Sequence, residues 1–469
     1  MEKYMDLKYW NVTSLSALLL KRIRRMHSAT VFVLSFITAI LVGSWLLMLP
    51  IATVSENISF IDALFTATSA VCVTGLIVVD TGSHYTLFGQ SIILALIQIG
   101  GLGVMTVSVT VFRLIGRNIS FRQRLIMQDV FTHTPQKDIL YLVKSIFVFT
   151  GVVELLGAGL LFIHWVKEYP LGRALYTALF HSVSAFCNAG FSTFSNSMMT
   201  YRGDLLLNIT MCTLIVLGGI GFPVLYELFH PLVHHSKNRF KLSIHTKSVL
   251  VTTAALIAGG AILFGVLEND SILGGISFKE RVFVSLFQSI TCRTAGFNTV
   301  DISALRAGTL AFMIFLMFFG ASPGSCGGGV KTTTLALLGA FAWSRIKRNN
   351  RVNIFKNSIP TETVAKSTSL ILMSLGFIAL IFFLLLVSLP GGGAQHHGDF
   401  LFYLFETVSA FGTVGLSMGA TTTLTGLGKF WIILMMLIGR VGVLTFSYII
   451  TGTAPTKGIE YADENLMIG

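Results

Sequence analysis

The chain has 469 residues, of which 53% are hydrophobic and only 12% charged, and its mean hydropathy is +0.77. A soluble domain of this size carries about a quarter charged residues, so a soluble globular fold is excluded, and repeated long apolar runs make the chain a polytopic membrane protein. The formal net charge of +12 is gathered in separate loops rather than on one face, which argues against a nucleic-acid partner.

Residues 1–28 are polar and basic, a cytoplasmic segment with no cleavable signal pattern. The first span is predicted at 29–49, after Lys21, Arg22, Arg24 and Arg25 and before Pro50. Residues 60–72 are too short to cross a bilayer and read as a re-entrant helix, opened by the capping box Ser59/Asp62. A second full span follows at 87–112, then a loop with Arg113, Arg117, Arg122, Arg124 and Lys137. The same order recurs three times. Unit 2 (139–229) has spans at 139–164 and 205–229 around a short helix at 174–187. Unit 3 (248–341) has a span at 248–267, a short helix at 279–292 opened by Ser277/Glu280, and an apolar segment at 308–341 interrupted midway. Unit 4 (364–452) has spans at 364–389 and 429–452 around a short helix at 400–411. Residues 453–469 form a polar tail. With unit 1 at 29–112, this is an all-α membrane fold of eight spans and four re-entrant pore helices around one axis. Lysine and arginine gather at the N-terminus and in the loops between units, which places both termini in the cytoplasm.

Three landmarks repeat in register. Leu64-Phe65 with Ser69-Ala70 precedes Gly75; Leu179-Phe180 with Ser184-Ala185 precedes Gly190; Leu404-Phe405 with Ser409-Ala410 precedes Gly415. Leu286-Phe287 precedes Gly296 in a copy one residue shorter. Gly100-Gly101-Leu102-Gly103 returns as Gly218-Gly219-Ile220-Gly221 and as Gly439-Arg440-Val441-Gly442. The turn glycines recur roughly every 105–120 residues, a true internal repeat.

Four non-helical turns at membrane depth need a shared reason, since unpaired backbone in lipid is costly unless it lines a water-filled cavity or is buried in protein. Four units around an axis supply one: each brings backbone carbonyls to a common line where they replace a cation's hydration shell. The candidate ion-binding segments are Cys72-Val73-Thr74-Gly75, Cys187-Asn188-Ala189-Gly190, Arg293-Thr294-Ala295-Gly296 and Gly412-Thr413-Val414-Gly415. No ring of Asp or Glu is present, which disfavours a divalent-selective filter. Each short helix aims its negative dipole end at the same cavity. The five cysteines, Cys72, Cys187, Cys212, Cys292 and Cys326, lack metal-type spacing and read as small apolar residues.

The stretches VCVTGLIVVDTG, SAFCNAGFS, RTAGFN, SAFGTVGLSMG, QIGGLGVMT and IGRVGVLTF resemble the Trk/Ktr/HKT superfamily of potassium transporters, most like its Ktr-type pore subunits (the KtrB/KtrD branch). The resemblance covers about residues 29–452. It implies uptake of potassium, with sodium as a second or coupled ion and no covalently bound cofactor. It also implies a homodimer in the cell membrane and a cytosolic nucleotide-binding regulatory ring as partner. One glycine per filter segment, rather than two, leads us to expect weaker potassium-over-sodium discrimination than in tetrameric potassium channels.

The interruption in unit 3, GASPGSCGGGVK, cannot be continuous helix, with its glycines and Pro323. In the resembling family this place holds an intramembrane gating loop, so Gly320, Pro323, Gly327, Gly328, Gly329 and Lys331 are candidate gate residues. Its ending resembles a phosphate loop, but Val330 separates Gly329 from Lys331 and no strand precedes it. Arg440 replaces the second glycine of the repeated element. A cation inside a span is usually functional, and this one is assigned to the gate. His181 and Glu406 are expected to brace the filter from behind, Asp62 to cap its helix, and Glu154 and Glu227 to pair or reach the interface. The competing transport reading is an alternating-access, sodium- or proton-coupled carrier. No nucleophile–base pair or metal motif points to an enzyme.

Overall fold

The computed structural model describes residues 28–54, 58–114, 139–234, 242–389 and 400–451. The predicted cytoplasmic segments 1–28 and 453–469 lie essentially outside these residues, as do the loop cations Arg117, Arg122, Arg124, Lys137, Lys237, Arg239 and Lys241.

Unit 1 comprises α1 (Ser28–Leu47), the short α2 (Phe60–Val71) and α3 (Leu87–Leu114). Unit 2 comprises α4 (Ile139–Trp165), α5 (Leu171–Phe186), α6 (Leu205–Ile220) and α7 (Phe222–His234). Unit 3 comprises α8 (Ile244–Leu267), α9 (Phe278–Thr291), α10 (Ala307–Phe318) and α11 (Thr332–Ile346). Unit 4 comprises α12 (Thr361–Val387), α13 (Phe400–Gly412), α14 (Gly426–Val441) and α15 (Val443–Thr451). The short helices start where the sequence marks them: Ser59 and Ser277 each accept a hydrogen bond from the third residue on, Asp62 and Glu280.

Two expectations are corrected. The predicted continuous spans 205–229 and 429–452 are each broken. The first turns by 101° between α6 and α7, and the second is interrupted between α14 and α15. Both breaks fall on the last glycine of the repeated element, Gly221 (φ +97°) and Gly442 (φ +92°), in a backbone region that costs other residues steric strain. Among the described residues four helices are long and apolar enough to cross a bilayer, and the bent pair makes a fifth. One feature has no counterpart among the expected elements, a small antiparallel hairpin, β1 (Val352–Ile354) and β2 (Asn357–Ile359), in the basic loop after unit 3. It packs Val352 against Leu337 and Val364.

The four pore helices occupy the interior. The repeated phenylalanines Phe65, Phe180, Phe287 and Phe405 are all buried, whereas Trp45, Leu155, Ile262 and Leu372 on the long helices face outward. In a lipid-facing protein that outward apolar surface needs no partner, and the driving force for packing lies in small residues and polar contacts. The first glycine of the repeated element answers this: a Cβ on Gly100, Gly218 or Gly439 would fall 2.0, 1.8 or 1.9 Å from the Val71, Phe186 or Phe411 carbonyl oxygen. In units 1, 2 and 4 the second helix thus lies directly against the C-terminal end of its own pore helix.

Candidate ion pathway and gate

The pore helices end at Cys72, Cys187 and Cys292 as C-caps, and at Gly412 as the last helical residue. In every unit the chain then enters the left-handed region twice, two residues apart. The first such residue is Val73 (φ +56°), Asn188 (+60°), Thr294 (+73°) or Thr413 (+49°), and the second is Gly75, Gly190, Gly296 or Gly415. Three of the four non-glycine residues are β-branched, for which this conformation costs on the order of 1–2 kcal/mol each. The shorter unit 3 reaches the same shape with a tighter turn. Ala295 N donates to Thr291 O, four residues back, whereas Thr74, Ala189 and Val414 each reach five back, to Ser69, Ser184 and Ser409.

The glycines form a closed ring in chain order. A Cβ on Gly75 would lie 2.5 Å from Ala189 O, on Gly190 2.8 Å from Ala295 O, on Gly296 2.5 Å from Val414 O, and on Gly415 2.1 Å from Thr74 O. Each glycine therefore faces the carbonyl of its neighbouring unit, and the fourth closes on the first. The sequence-derived segments are brought together around one axis. Two members point elsewhere. The Arg293 side chain is buried and donates to Thr253 Oγ1 on α8 at 3.2 Å. Gly412 packs on the Met317 carbonyl of α10.

Two polar layers hold the ring from behind. In the first, Ser69 and Ser409 accept from the Gly75 and Gly415 amides at 3.1 Å, while Ser184 and Thr291 donate to the Phe191 and Phe297 carbonyls at 2.8 and 2.6 Å. In the second, the residue after each repeated phenylalanine meets a hydroxyl beyond the turn. Thr66 meets Tyr85 (3.2 Å), His181 meets Ser192 (3.0 Å), and Gln288 meets Thr299 (3.3 Å). Glu406 accepts from Ser417 (2.9 Å) and Thr421. Sequence reading placed His181 and Glu406 here but missed Thr66 as their equivalent, although aligning the Leu-Phe pairs exposes it.

Residues 319–330 lie directly against the ring. Phe319 and Val330 pair as a parallel bridge that closes the loop at its base. The loop's glycines sit against side chains of the turn segments: a Cβ on Gly320 or Gly327 would fall 2.7 or 2.1 Å from Thr294, and one on Gly328 2.6 Å from Thr413 Oγ1. Gly328 N donates to that same hydroxyl at 2.9 Å. The loop is also fixed to unit 2, where Ser322 N and Cys326 N donate to Gly219 and Gly218 carbonyls and Phe222 N donates to Gly324 O. Gly329 N donates to Gly439 O of unit 4. Arg440, 4% exposed, donates from Nη1 to Cys326 O and from Nη2 to Gly100 O, joining loop, unit 4 and unit 1. Lys331 turns back into the loop, donating to Gly327 O at 2.7 Å. Pro323 O lies where a Cβ on Gly221 would come within 2.4 Å.

An ion pair missed in the sequence closes the bundle: Lys429 Nζ, at the start of α14, meets Asp62 Oδ1 of α2 at 2.5 Å. Glu154 is buried and accepts from Gln98 at 3.1 Å, and Glu227 accepts from Ser243.

Known proteins resemble this chain over most of its length. The TrkH family, described as cation transport protein, matches residues 6–456. The chain is similar to Ktr system potassium uptake protein B of Bacillus subtilis, with 39% identity over 95% of this chain and 97% of that one. It is similar to potassium/sodium uptake protein NtpJ of Enterococcus hirae, with 35% identity over 96% and 99% of the two chains. Its fold is similar to the crystal structure of the potassium transporter TrkH from Vibrio parahaemolyticus, with a TM-score of 0.71 at 19% identity, over 92% of this chain and 86% of that one.

Proposed function

The chain belongs to the TrkH family of cation transport proteins, and on that premise we propose that it is a potassium-uptake pore subunit of the Ktr type. The observation that carries the reading is the closed ring of Gly75, Gly190, Gly296 and Gly415, each against its neighbour's carbonyl. A ring of backbone oxygens at the C-terminal ends of four short helices replaces part of a monovalent cation's hydration shell, and the helix dipoles add a negative potential there. The names of the relatives, potassium uptake and potassium/sodium uptake, support potassium as the main ion and sodium as the second.

In this reading residues 319–330 are the gate. The loop rests on Thr294 and Thr413 immediately beside the ring, so an ion leaving the filter meets it next. Arg440 holds it shut by bridging Cys326 O and Gly100 O, and Lys331 adds a second positive charge to the barrier. The four repeats, 29–112, 139–229, 248–341 and 364–452, act as one pore in the cell membrane with both termini cytoplasmic. The name Ktr system supports a partner subunit. We assign it to the cytosolic side as a nucleotide-binding ring acting on a homodimer of this chain, with opening achieved by withdrawing the loop.

The test is cation flux through the purified protein in liposomes. The proposal expects potassium entry down its own gradient, faster than sodium, with the preference lost in Gly296→Ser. Uptake that stops without a sodium or proton gradient would replace the pore with an alternating-access carrier.

A further inference from the structure

Nothing in the ion pathway described above uses the hairpin after unit 3 or the end of α11 that leads into it. Between Asp301 and Glu362 the chain has no acidic residue, while Arg345, Lys347, Arg348, Arg351 and Lys356 fall in one short stretch and are all exposed. Glu362, the first acid after them, is paired with Lys366 at 2.8 Å. Large apolar side chains stand among these cations: Trp343 is 59% exposed, Ile346 74% and Phe355 45%. Trp343, Ile346 and Lys347 share one face of the last turn of α11, and the Lys347 ammonium lies 4.9 Å from the centre of the Trp343 ring. Arg345 lies likewise over Phe341, at 5.1 Å.

The hairpin is fixed at a definite depth. Val352 packs on Leu337 of α11 and on Val364 in the first turn of α12. α12 has 27 residues, more than the ~20 that a bilayer core needs. Its excess falls at the polar start, with Glu362, Lys366 and Thr368, so the first turn stands at the level of the headgroups. The hairpin tip is displayed at the cost of strain. The pairing of Ile354 with Asn357 leaves Phe355 and Lys356 as the two turn residues, and both take positive φ, +48° and +66°. Such a turn favours Asn-Gly; here an aromatic ring and a cation occupy it.

We propose that the hairpin tip and the last turn of α11 are a docking surface for the headgroups of anionic phospholipids, at the membrane face where α11 ends. Lysine and arginine clusters just outside a span are attracted to the negative surface of such a leaflet, by about fivefold in partitioning for each cation. Tryptophan and phenylalanine settle at the boundary between headgroups and acyl chains. The cations alone would suit an acidic protein equally. The three large apolar side chains exposed beside them, on elements packed at headgroup level, favour lipid.

The docking surface depends on the membrane placement of α12 and on none of the pore or gate assignments, so failure of either leaves the other standing. The experiment places the full-length protein in nanodiscs of phosphatidylcholine, alone or mixed with phosphatidylglycerol. Amide hydrogen exchange is followed by peptide mass spectrometry at low and high salt. Residues 343–359 should exchange more slowly in the anionic discs, by about fivefold or more, and the difference should vanish at high salt, which screens the attraction. Arg348→Gln/Arg351→Gln/Lys356→Gln should lose the difference. Phe355→Asn/Lys356→Gly gives the turn its favoured residues, so it should melt no lower than wild type and still lose most of the protection. Equal exchange in both discs overturns the proposal and leaves the surface to a protein partner. Protection that persists in the triple variant, or in full in the turn variant, overturns the assignment to these residues.

Discussion

Gly415 closes the ring on Thr74: a Cβ at residue 415 would stand 2.1 Å from the Thr74 carbonyl oxygen, nearer than at any other of the four turn glycines. The obstacle is backbone, so it cannot swing aside as a side chain can. The four alanine variants should therefore not be equivalent. Each incurs left-handed strain of about 1–2 kcal/mol, and the clash comes in addition. Gly415→Ala is expected to damage potassium-over-sodium selectivity most. Gly75→Ala and Gly296→Ala, each 2.5 Å from a carbonyl, should follow, and Gly190→Ala, at 2.8 Å, should be mildest. Permeability ratios in mixed-salt liposomes check the order, and equal selectivity in all four would show that the ring does not set it.

Arg440 bridges two carbonyls that belong to different units, Cys326 O and Gly100 O. Hydrogen bonds from a charged donor contribute about 1.5–3 kcal/mol, and each ~1.4 kcal/mol is tenfold in an equilibrium. Arg440→Ala should raise basal flux by about one to two orders of magnitude. Arg440→Lys should fall between the two, because a compact ammonium cannot span both oxygens as a guanidinium does. Basal flux of Arg440→Ala at or below wild type, in protein that melts normally, would remove the latch.

The repeat was legible because its period rests on glycines whose reasons are local. Gly75, Gly190, Gly296 and Gly415 take positive φ, and Gly100, Gly218 and Gly439 lie against pore-helix carbonyls. The one-residue-shorter third copy was also legible, and its cause is the tighter Ala295-to-Thr291 turn. The breaks at Gly221 and Gly442 were not. Apolar runs continue through both residues, and what bends the chain at Gly221 is a tertiary contact, Phe222 N to Gly324 O, with a loop a hundred residues away. The direction of Arg293 was hidden for a similar reason: register placed it in the filter segment, but its side chain finds Thr253 on the outer helix. The hairpin at Val352–Ile359 is held by contacts with Leu337 and Val364 rather than by a turn signal strong enough to read alone.

Asp62 and Lys429 join the first unit to the last, with side chains 21% and 15% exposed. A pair this sheltered is screened less than a surface one, yet its worth is expected to stay near the upper end of the exposed range, about 1 kcal/mol. A double-mutant cycle with Asp62→Asn and Lys429→Gln, read by thermal unfolding in detergent, should return a coupling of that order. Additive losses would mean that ring closure depends on the glycine contacts alone.

Gly221 and Gly442 permit a matched comparison, because they have nearly the same backbone, φ +97° and +92°, and different surroundings. A Cβ at 221 would fall 2.4 Å from the Pro323 carbonyl of the 319–330 loop, whereas nothing lies within 4 Å of one at 442. Alanine at either position should cost stability through left-handed strain, about 1–2 kcal/mol. Only Gly221→Ala also pushes on the loop, where Ser322, Gly324 and Cys326 are bonded to unit 2. The two variants should therefore melt at similarly lowered temperatures, while basal flux rises in Gly221→Ala and stays near wild type in Gly442→Ala. Equal flux from both would mean that the bend in unit 2 serves only to end a helix, and that the 319–330 loop takes its position from Arg440 and the Thr294 and Thr413 hydroxyls instead.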